Sequence, residues 1–170
     1  GLQPNGVPRG LTGTTLPFDY NNIGQLEKLI KANHGKIAAI KMEVSRNKGP
    51  EDNYLQKVRD LATENNIVLI FDECTSGFRE IFGGLHKKYG VEPDLAVFAK
   101  ALGNGYAISA CIGRKKIMQA AQQTFISSTF WTERIGPAAA LKTLEVMQRE
   151  KSWEKISQIG KGISERWKLL

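Results

Sequence analysis

The sequence has few cysteines and no long apolar run, and these two scarcities exclude several classes of protein. Its 170 residues include two cysteines, Cys74 and Cys111, which are too few for a disulfide scaffold. Both lie in strand-like or site-like runs, so we expect reduced, buried thiols in a cytoplasmic protein. No apolar run approaches the roughly 20 residues that a membrane-spanning helix needs. We therefore expect one domain with one core and no membrane partner.

The sequence also lacks the patterns of a nucleic-acid or metal site. The net charge of +7 would suit nucleic acid, but the lysines and arginines are scattered along amphipathic helices rather than interleaved with aromatic residues. Such a basic surface suits an anionic cofactor or substrate instead. Of the two histidines, His86 has no metal ligand nearby in sequence and is predicted to be a surface or packing residue. We expect no nucleic-acid partner and no metal.

Two short apolar runs each end at a polar group. Residues 67–71 are followed by Asp72, and residues 95–99 are followed by Lys100. Both runs are typical of strands buried on both faces of a parallel sheet. Because ligands bind at the carboxyl ends of strands in an open α/β sheet, we expect Asp72 and Lys100 to lie near one another there.

The rest of the chain alternates helix and strand. A strand over residues 36–42 should end at Glu43 and lie beside the two already described. The strand over residues 106–112 follows the Gly103-Asn104-Gly105 turn too closely for a crossover helix, so it should run antiparallel to its neighbour. The predicted helices span residues 22–33, 50–65, 83–90, 115–122, 132–149 and 152–170.

A lysine amine and a carboxylate at one sheet edge have a specific chemical use. The amine can form a Schiff base with an aldehyde, and the carboxylate can keep a pyridine nitrogen protonated. Pyridoxal phosphate needs both groups. The alternative is an ordinary salt bridge between Asp72 and Lys100 at the strand ends.

Three sequence blocks carry a resemblance to a known family. They are Asp-Glu-Cys-Thr-Ser-Gly-Phe-Arg at 72–79, Pro-Asp-Leu at 93–95 and Lys-Ala-Leu-Gly-Asn-Gly-Tyr at 100–106. Their order and spacing resemble the signature of class III pyridoxal-phosphate-dependent aminotransferases. Gly-Phe-Arg at 77–79 is similar to the glutamate-1-semialdehyde 2,1-aminomutase branch, whereas many omega-aminotransferases have Gly-Phe-Gly-Arg. The resemblance implies the fold type I large domain, with three αβα layers and a mostly parallel sheet with one antiparallel strand.

The resemblance also implies roles for single residues. Lys100 would form the Schiff base and shuttle the proton, and Asp72 would hold the ring nitrogen protonated. Cys74 occupies the family's usual valine position against the ring face. Asn47 resembles an asparagine near the ring oxygen, and an ordinary loop residue is the alternative interpretation.

A hydroxyl block implies a homodimer. Ser128 and Thr129 resemble the family's Ser-Thr-Phe block, whose threonine binds the cofactor phosphate across the dimer interface. The family usually continues Gly-Gly-Asn-Pro, whereas this chain has Trp-Thr-Glu-Arg at 131–134. Hydroxyl groups that cap a helix beginning near Thr132 are a second interpretation of the block, compatible with the first.

The resemblance further implies an incomplete enzyme. Residues 1–150 would be part of the cofactor-binding large domain, and residues 151–170 a helix leading toward a missing C-terminal small domain. The expected function is transfer of an amino group from a small-molecule donor to a carbonyl acceptor, as an aminotransferase or aminomutase, with the isolated fragment inactive. The alternative is a noncatalytic α/β binding or interaction module.

Overall fold

The computed structural model describes residues 5–127 and 129–170, which form an α/β unit around a four-stranded sheet. The strands are β1 (Ala39–Glu43), β2 (Val68–Asp72), β3 (Leu95–Phe98) and β4 (Ala110–Gly113). Their spatial order is β1-β2-β3-β4, with the first three parallel and β4 antiparallel to β3. The predicted order and directions are confirmed. Strand β4 begins later than predicted because the Tyr106 amide donates to Gly103 O at 3.1 Å and prolongs the turn.

Residues 5–127 and 129–170 form six α-helices in addition to the strands. They are α1 (Ile23–Ala32), α2 (Tyr54–Glu64), α3 (His86–Tyr89), α4 (Lys115–Met118), α5 (Ile135–Glu150) and α6 (Ser152–Trp167). Short 3₁₀ turns occupy Arg9–Leu11, Lys100–Leu102 and Gln119–Gln123. Among the described residues, no helix is both long and apolar enough to cross a bilayer.

Local polar groups and backbone angles decide where the helices begin. Asn22 caps α1 as predicted, because its side chain accepts a hydrogen bond from the Gln25 amide at 3.1 Å. Helix α2 begins at Tyr54 rather than at residue 50, since Asp52 and Asn53 have left-handed φ angles of 46° and 57° that interrupt a helix.

Helix α5 begins at Ile135, and the predicted start at Thr132 is wrong. The carboxylate of Glu133 accepts hydrogen bonds from the amides of Ile135 and Gly136. It thereby satisfies two of the amides that the first helical turn leaves unpaired. A carboxylate, not the threonine hydroxyl, caps this helix.

One face of the sheet is buried and the other is not. Along β2, Leu69 and Phe71 are fully buried while the alternating residues are only partly buried. Helices α1 and α2 cover this face at β1 and β2, and α5 covers it at β3. The expectation that β2 is buried on both faces is therefore wrong for the described residues, because these three helices pack on the same side. Asp72 lies on the opposite, partly exposed face.

Candidate active site

Asp72 and Lys100 lie at the same edge of the sheet. Asp72 is the last residue of β2 and pairs in register with Val97 of β3. Strand β3 ends at Phe98, so the chain reaches Lys100 two residues beyond that strand. Both side chains therefore belong to the carboxyl edge, where open α/β sheets bind ligands.

The Asp72 carboxylate is held from two sides. Its Oδ2 lies 2.8 Å from the Lys41 Nζ, and its Oδ1 accepts a hydrogen bond from the Cys74 amide at 3.1 Å. The hydrogen bond from Lys41 is the largest cause that lowers the pKa of Asp72 below its ordinary value, and it outweighs partial burial. Asp72 is therefore an ionised acceptor at neutral pH.

Asp72 and Lys100 do not form the salt bridge that was the alternative interpretation of this pair, and each side chain has another partner. Lys41 is the partner of Asp72, whereas the Lys100 Nζ donates to Thr75 Oγ1 at 2.6 Å. Within residues 5–127 and 129–170, Lys100 has no carboxylate within ion-pair distance. The Lys100 amine is exposed, and in the part of the chain that the structure describes its hydrogen-bond partner is the Thr75 hydroxyl.

Lys100 also has a strained backbone. Its φ angle is 44°, in the left-handed region that costs an L-residue about 1–2 kcal/mol. Such outliers persist where the surrounding structure enforces them, and they are concentrated at functional sites. The adjoining turn is tight as well, because a Cβ on Gly103 would lie 2.1 Å from the Tyr106 carbonyl oxygen.

Cys74 lies among the charged groups of this edge. Burial is the main cause that raises the pKa of its thiol, and Asp72 raises it further, whereas the positive charges of Lys100 and Lys41 oppose the increase. The thiol is partly buried and neutral at pH 7. The prediction of a buried thiol is wrong for Cys111, which is exposed because it shares the open sheet face with Asp72.

Glu73, to which the sequence assigned no role, is the centre of a buried polar network. Its side chain is fully buried, and its Oε1 accepts the His86 amide at 2.9 Å and lies 2.9 Å from the His86 Nδ1. The Ser76 hydroxyl donates to the other oxygen. Burial by itself raises the pKa of Glu73, but these hydrogen bonds outweigh it and hold the pKa below its usual value. His86 is a packing residue, as predicted.

The other predicted site residues lie on loops. Asn47 is exposed on the loop that follows β1. The first residue of this loop, Val44, is fully buried, and its carbonyl oxygen accepts a hydrogen bond from the Tyr20 hydroxyl. Thr129 is exposed in a turn before α5, and Ser128 lies outside the described residues. In the described part of the chain, neither Asn47 nor Thr129 hydrogen-bonds to Lys100 or Asp72.

Sequence reasoning missed Lys41 and Thr75. A signal for Lys41 was present, because the two-residue period of a strand ending at Glu43 places Lys41 on the same face as that carboxylate. No comparable signal exists for Thr75, whose contact with Lys100 depends on the path of two separate loops. Residues 5–127 and 129–170 contain no group of acidic, histidine and cysteine side chains able to hold a metal ion.

The carboxyl edge is an open surface. Concave surfaces lie elsewhere: one of about 540 Å³ lies between the 103–106 turn and α5, and one of about 570 Å³ lies between residues 107–109 and 130–137. Neither is lined by Asp72 or Lys100. The chemistry of the donor set, rather than a closed cavity, defines this candidate site.

Comparisons with known proteins agree on one family. The family model described as "Aminotransferase class-III" matches residues 17–170. The chain is 38% identical over 163 residues to the 3-aminobutyryl-CoA aminotransferase of Cloacimonas acidaminovorans (strain Evry), covering 92% of this chain and 39% of that protein. It thus spans about two fifths of the length of this curated relative.

Solved structures show the same similarity. The FumI protein of Sphingopyxis sp. MTA144, solved in its PLP internal aldimine form, superposes with a TM-score of 0.75 at 29% identity, covering 78% of this chain and 34% of that one. Ornithine aminotransferase PY00104 from Plasmodium yoelii also gives a TM-score of 0.75, at 27% identity over 84% of this chain and 39% of that chain. The fold of this chain is therefore that of part of the large domain of PLP-dependent transferases.

Proposed function

The chain belongs to the class-III aminotransferases, and from that premise we propose that it carries the reactive part of a pyridoxal-phosphate-dependent enzyme that transfers an amino group. The observation that carries this proposal is that an ionised Asp72 and an exposed Lys100 amine lie at the same sheet edge, each with a partner of its own. No observation on the described residues favours the alternative of a noncatalytic binding module.

The residues present fit this cofactor. Pyridoxal phosphate supplies an aldehyde that an amine can bind and a pyridine ring that accepts electrons from the substrate's α carbon. Lys100 would hold the group covalently through its amine and then move the substrate proton, which is general acid–base work. The lowered pKa of Asp72 keeps this group a negatively charged carboxylate at neutral pH. The carboxylate would therefore favour the protonated, positively charged form of the ring nitrogen. The neutral Cys74 thiol would pack against the ring.

The Gly-Phe-Arg segment at 77–79 supports an aminomutase-like branch as the finer assignment. A Cβ on Gly77 would lie 2.7 Å from the Phe98 ring and 2.8 Å from Glu73 O, so only glycine fits there. Arg79 is anchored by a hydrogen bond from its Nε to Thr75 O at 2.6 Å. The relative from Cloacimonas is an aminotransferase, which supports transfer between two molecules as the alternative to transfer within one.

A homodimer is part of the proposal. The segment around Thr129 exposes large apolar side chains, among them Phe125 at 98%, Phe130 at 75% and Trp131 at 69%. Exposed apolar residues clustered this way are typical of protein interfaces. Thr129, beside them, would then reach the partner's cofactor phosphate, with Asn47 near the ring oxygen. The unpaired thiols of Cys74 and Cys111 support a cytoplasmic protein.

The decisive experiment uses the full-length protein with Lys100→Ala and, as a control, Lys57→Ala on the exposed side of α2. Wild-type and control proteins should be yellow, bleach with borohydride and transfer an amino group. Lys100→Ala should lose both the borohydride-sensitive colour and at least about a thousandfold in rate, since both covalent attachment and proton transfer depend on this amine. Unchanged colour and rate in Lys100→Ala would contradict the proposal. Supplying or omitting a carbonyl acceptor then separates aminotransferase from aminomutase.

A further inference from the structure

Lys41 is placed beside Asp72 by the sheet itself. Strand β1 pairs with β2 so that Glu43 is in register with Asp72 and Lys41 with Ile70. Because side chains two residues apart share a strand face, Lys41 and Asp72 emerge on the same face, one pleat apart on adjacent strands. The Lys41 stem spans that offset and brings its Nζ to 2.8 Å from Asp72 Oδ2.

The carboxyl edge also has a charge conflict that Lys41 relieves. Glu43 and Asp72 are direct cross-strand neighbours, and like charges in that position repel. Glu43 leans toward Arg46, whose guanidinium lies 3.4 Å from Glu43 Oε1. Lys41 provides the charge for Asp72, and its own pKa is raised by the hydrogen bond to Asp72 and further by Cys74 and Glu43.

We propose that Lys41 is a positioning residue that fixes the orientation of the Asp72 carboxylate for the cofactor's ring nitrogen. Lys41 occupies one lone pair of Oδ2 and the Cys74 amide occupies one of Oδ1, so a donor orients each oxygen of the carboxylate. A carboxylate has about four acceptor positions, and the remaining ones stay available to a ring N–H donor. This inference rests on the proposed function, because it names how that site is held.

The exposure of Lys41 shows which effect to measure. Its side chain is 63% exposed, and a surface ion pair of this kind contributes little to folding. Lys41→Met keeps the apolar stem and removes the charge, whereas Lys41→Arg keeps the charge. Lys57→Met, on exposed α2, is the matched control for loss of one positive charge.

The first test uses the full-length protein without cofactor. The carboxyl carbon of Asp72, assigned by its loss in Asp72→Asn, is titrated by ¹³C NMR. Lys41→Met should raise the pKa of Asp72, because the hydrogen bond from Lys41 is the largest cause of its lowered value. Lys41→Arg and Lys57→Met should leave the pKa of Asp72 below its ordinary value. Besides Lys41, the charged or titratable groups that face Asp72 are Cys74 and Glu43. An unchanged Asp72 titration in Lys41→Met would overturn the proposal.

The second test uses added pyridoxal phosphate and a double-mutant cycle. Lys41→Met should weaken cofactor affinity by about twofold to fivefold, the range of exposed ion pairs, and Lys41→Arg should restore it. In an Asp72→Asn background Lys41→Met should have no further effect, because its partner is gone. An equal loss in both backgrounds would place the action of Lys41 elsewhere and overturn the proposal. If wild type binds no pyridoxal phosphate, the proposed function fails, and the cofactor-free titration decides the role of Lys41 by itself.

Discussion

Two aspartates at opposite ends of the central strands form the same kind of ion pair in very different surroundings. Asp94 precedes β3, accepts the Leu69 amide at 2.8 Å and pairs with Arg59 at 2.8 Å; both paired side chains are only 11% exposed. Asp72 ends β2 and pairs with Lys41 at the same 2.8 Å, but these side chains are 22% and 63% exposed. Distance alone does not distinguish the two pairs, whereas burial does.

The difference separates a structural clamp from a reactive group. Burial raises the pKa of Asp94, but the hydrogen bonds from the Leu69 amide and Arg59 outweigh it and leave the pKa below its usual value. This carboxylate joins α2, β2 and the start of β3, and Arg114 approaches it from beyond β4 at 3.5 Å. Asp72 retains acceptor positions toward solvent. The amino edge therefore holds the sheet together, and the carboxyl edge remains available for chemistry.

The largest expected effect breaks the clamp. Asp94→Ala should lower the free energy of unfolding by about 3–5 kcal/mol, because Arg59 is left buried without its counter-ion. Asp72→Ala should lower it by less than about 1 kcal/mol, since Lys41 remains solvated. Denaturant unfolding, together with hydrogen exchange of the Leu69 amide, measures both. Equal losses for the two variants would refute the contrast between the edges.

The carboxyl edge itself contains one fully buried carboxylate, Glu73, which directly follows Asp72 in the chain. We expect the contribution of Glu73 to stability to depend on pH. Because the folded pKa of Glu73 is below its unfolded value of roughly 4.3, its contribution is complete above that pH and is lost as pH falls through the folded pKa. Glu73→Gln should therefore cost about 2 kcal/mol at neutral pH, the range of hydrogen bonds to a charged group. The difference from wild type should shrink as the pH is lowered in urea titrations. A difference independent of pH would show that the charge of Glu73 is irrelevant.

The strain at Lys100 allows function and stability to be separated. Lys100→Ala keeps a Cβ at the left-handed φ of 44°, whereas Lys100→Gly removes it. We expect the glycine variant to be more stable than the alanine variant by about 1 kcal/mol, with both inactive. Thermal unfolding of the two variants side by side provides the measurement. An alanine variant as stable as the glycine variant would mean that the backbone at this position is unstrained.

The smallest expected effect concerns the hydroxyl group that holds the Lys100 amine. Thr75→Val should lower the rate of amino transfer by about twofold to fivefold, which corresponds to the loss of one exposed hydrogen bond. Thr75→Ser retains the hydroxyl and should behave like wild type. Steady-state rates of the full-length protein compare them. A valine variant with wild-type rates would show that the contact does not orient Lys100.

The order and direction of the strands and one helix cap were predictable from neighbouring residues. Asn22 before an apolar periodicity indicated the start of α1, and the Gly103-Asn104-Gly105 turn indicated the reversal between β3 and β4. Helix starts that depend on particular backbone angles or on a nearby carboxylate were not predictable from periodicity. Asp52 at the start of α2 and Glu133 at the start of α5 are the two examples.

The sequence by itself determined the order and direction of the strands, because short connections and the period of apolar residues are local properties of the chain. It also indicated Asp72 and Lys100, since each follows an apolar run. Only the tertiary structure decided that Lys41 rather than Lys100 pairs with Asp72, and that the Thr75 hydroxyl accepts a hydrogen bond from the Lys100 amine. Those contacts join residues 25 to 31 positions apart in the chain, and their partners depend on strand register and loop path, which no local pattern encodes.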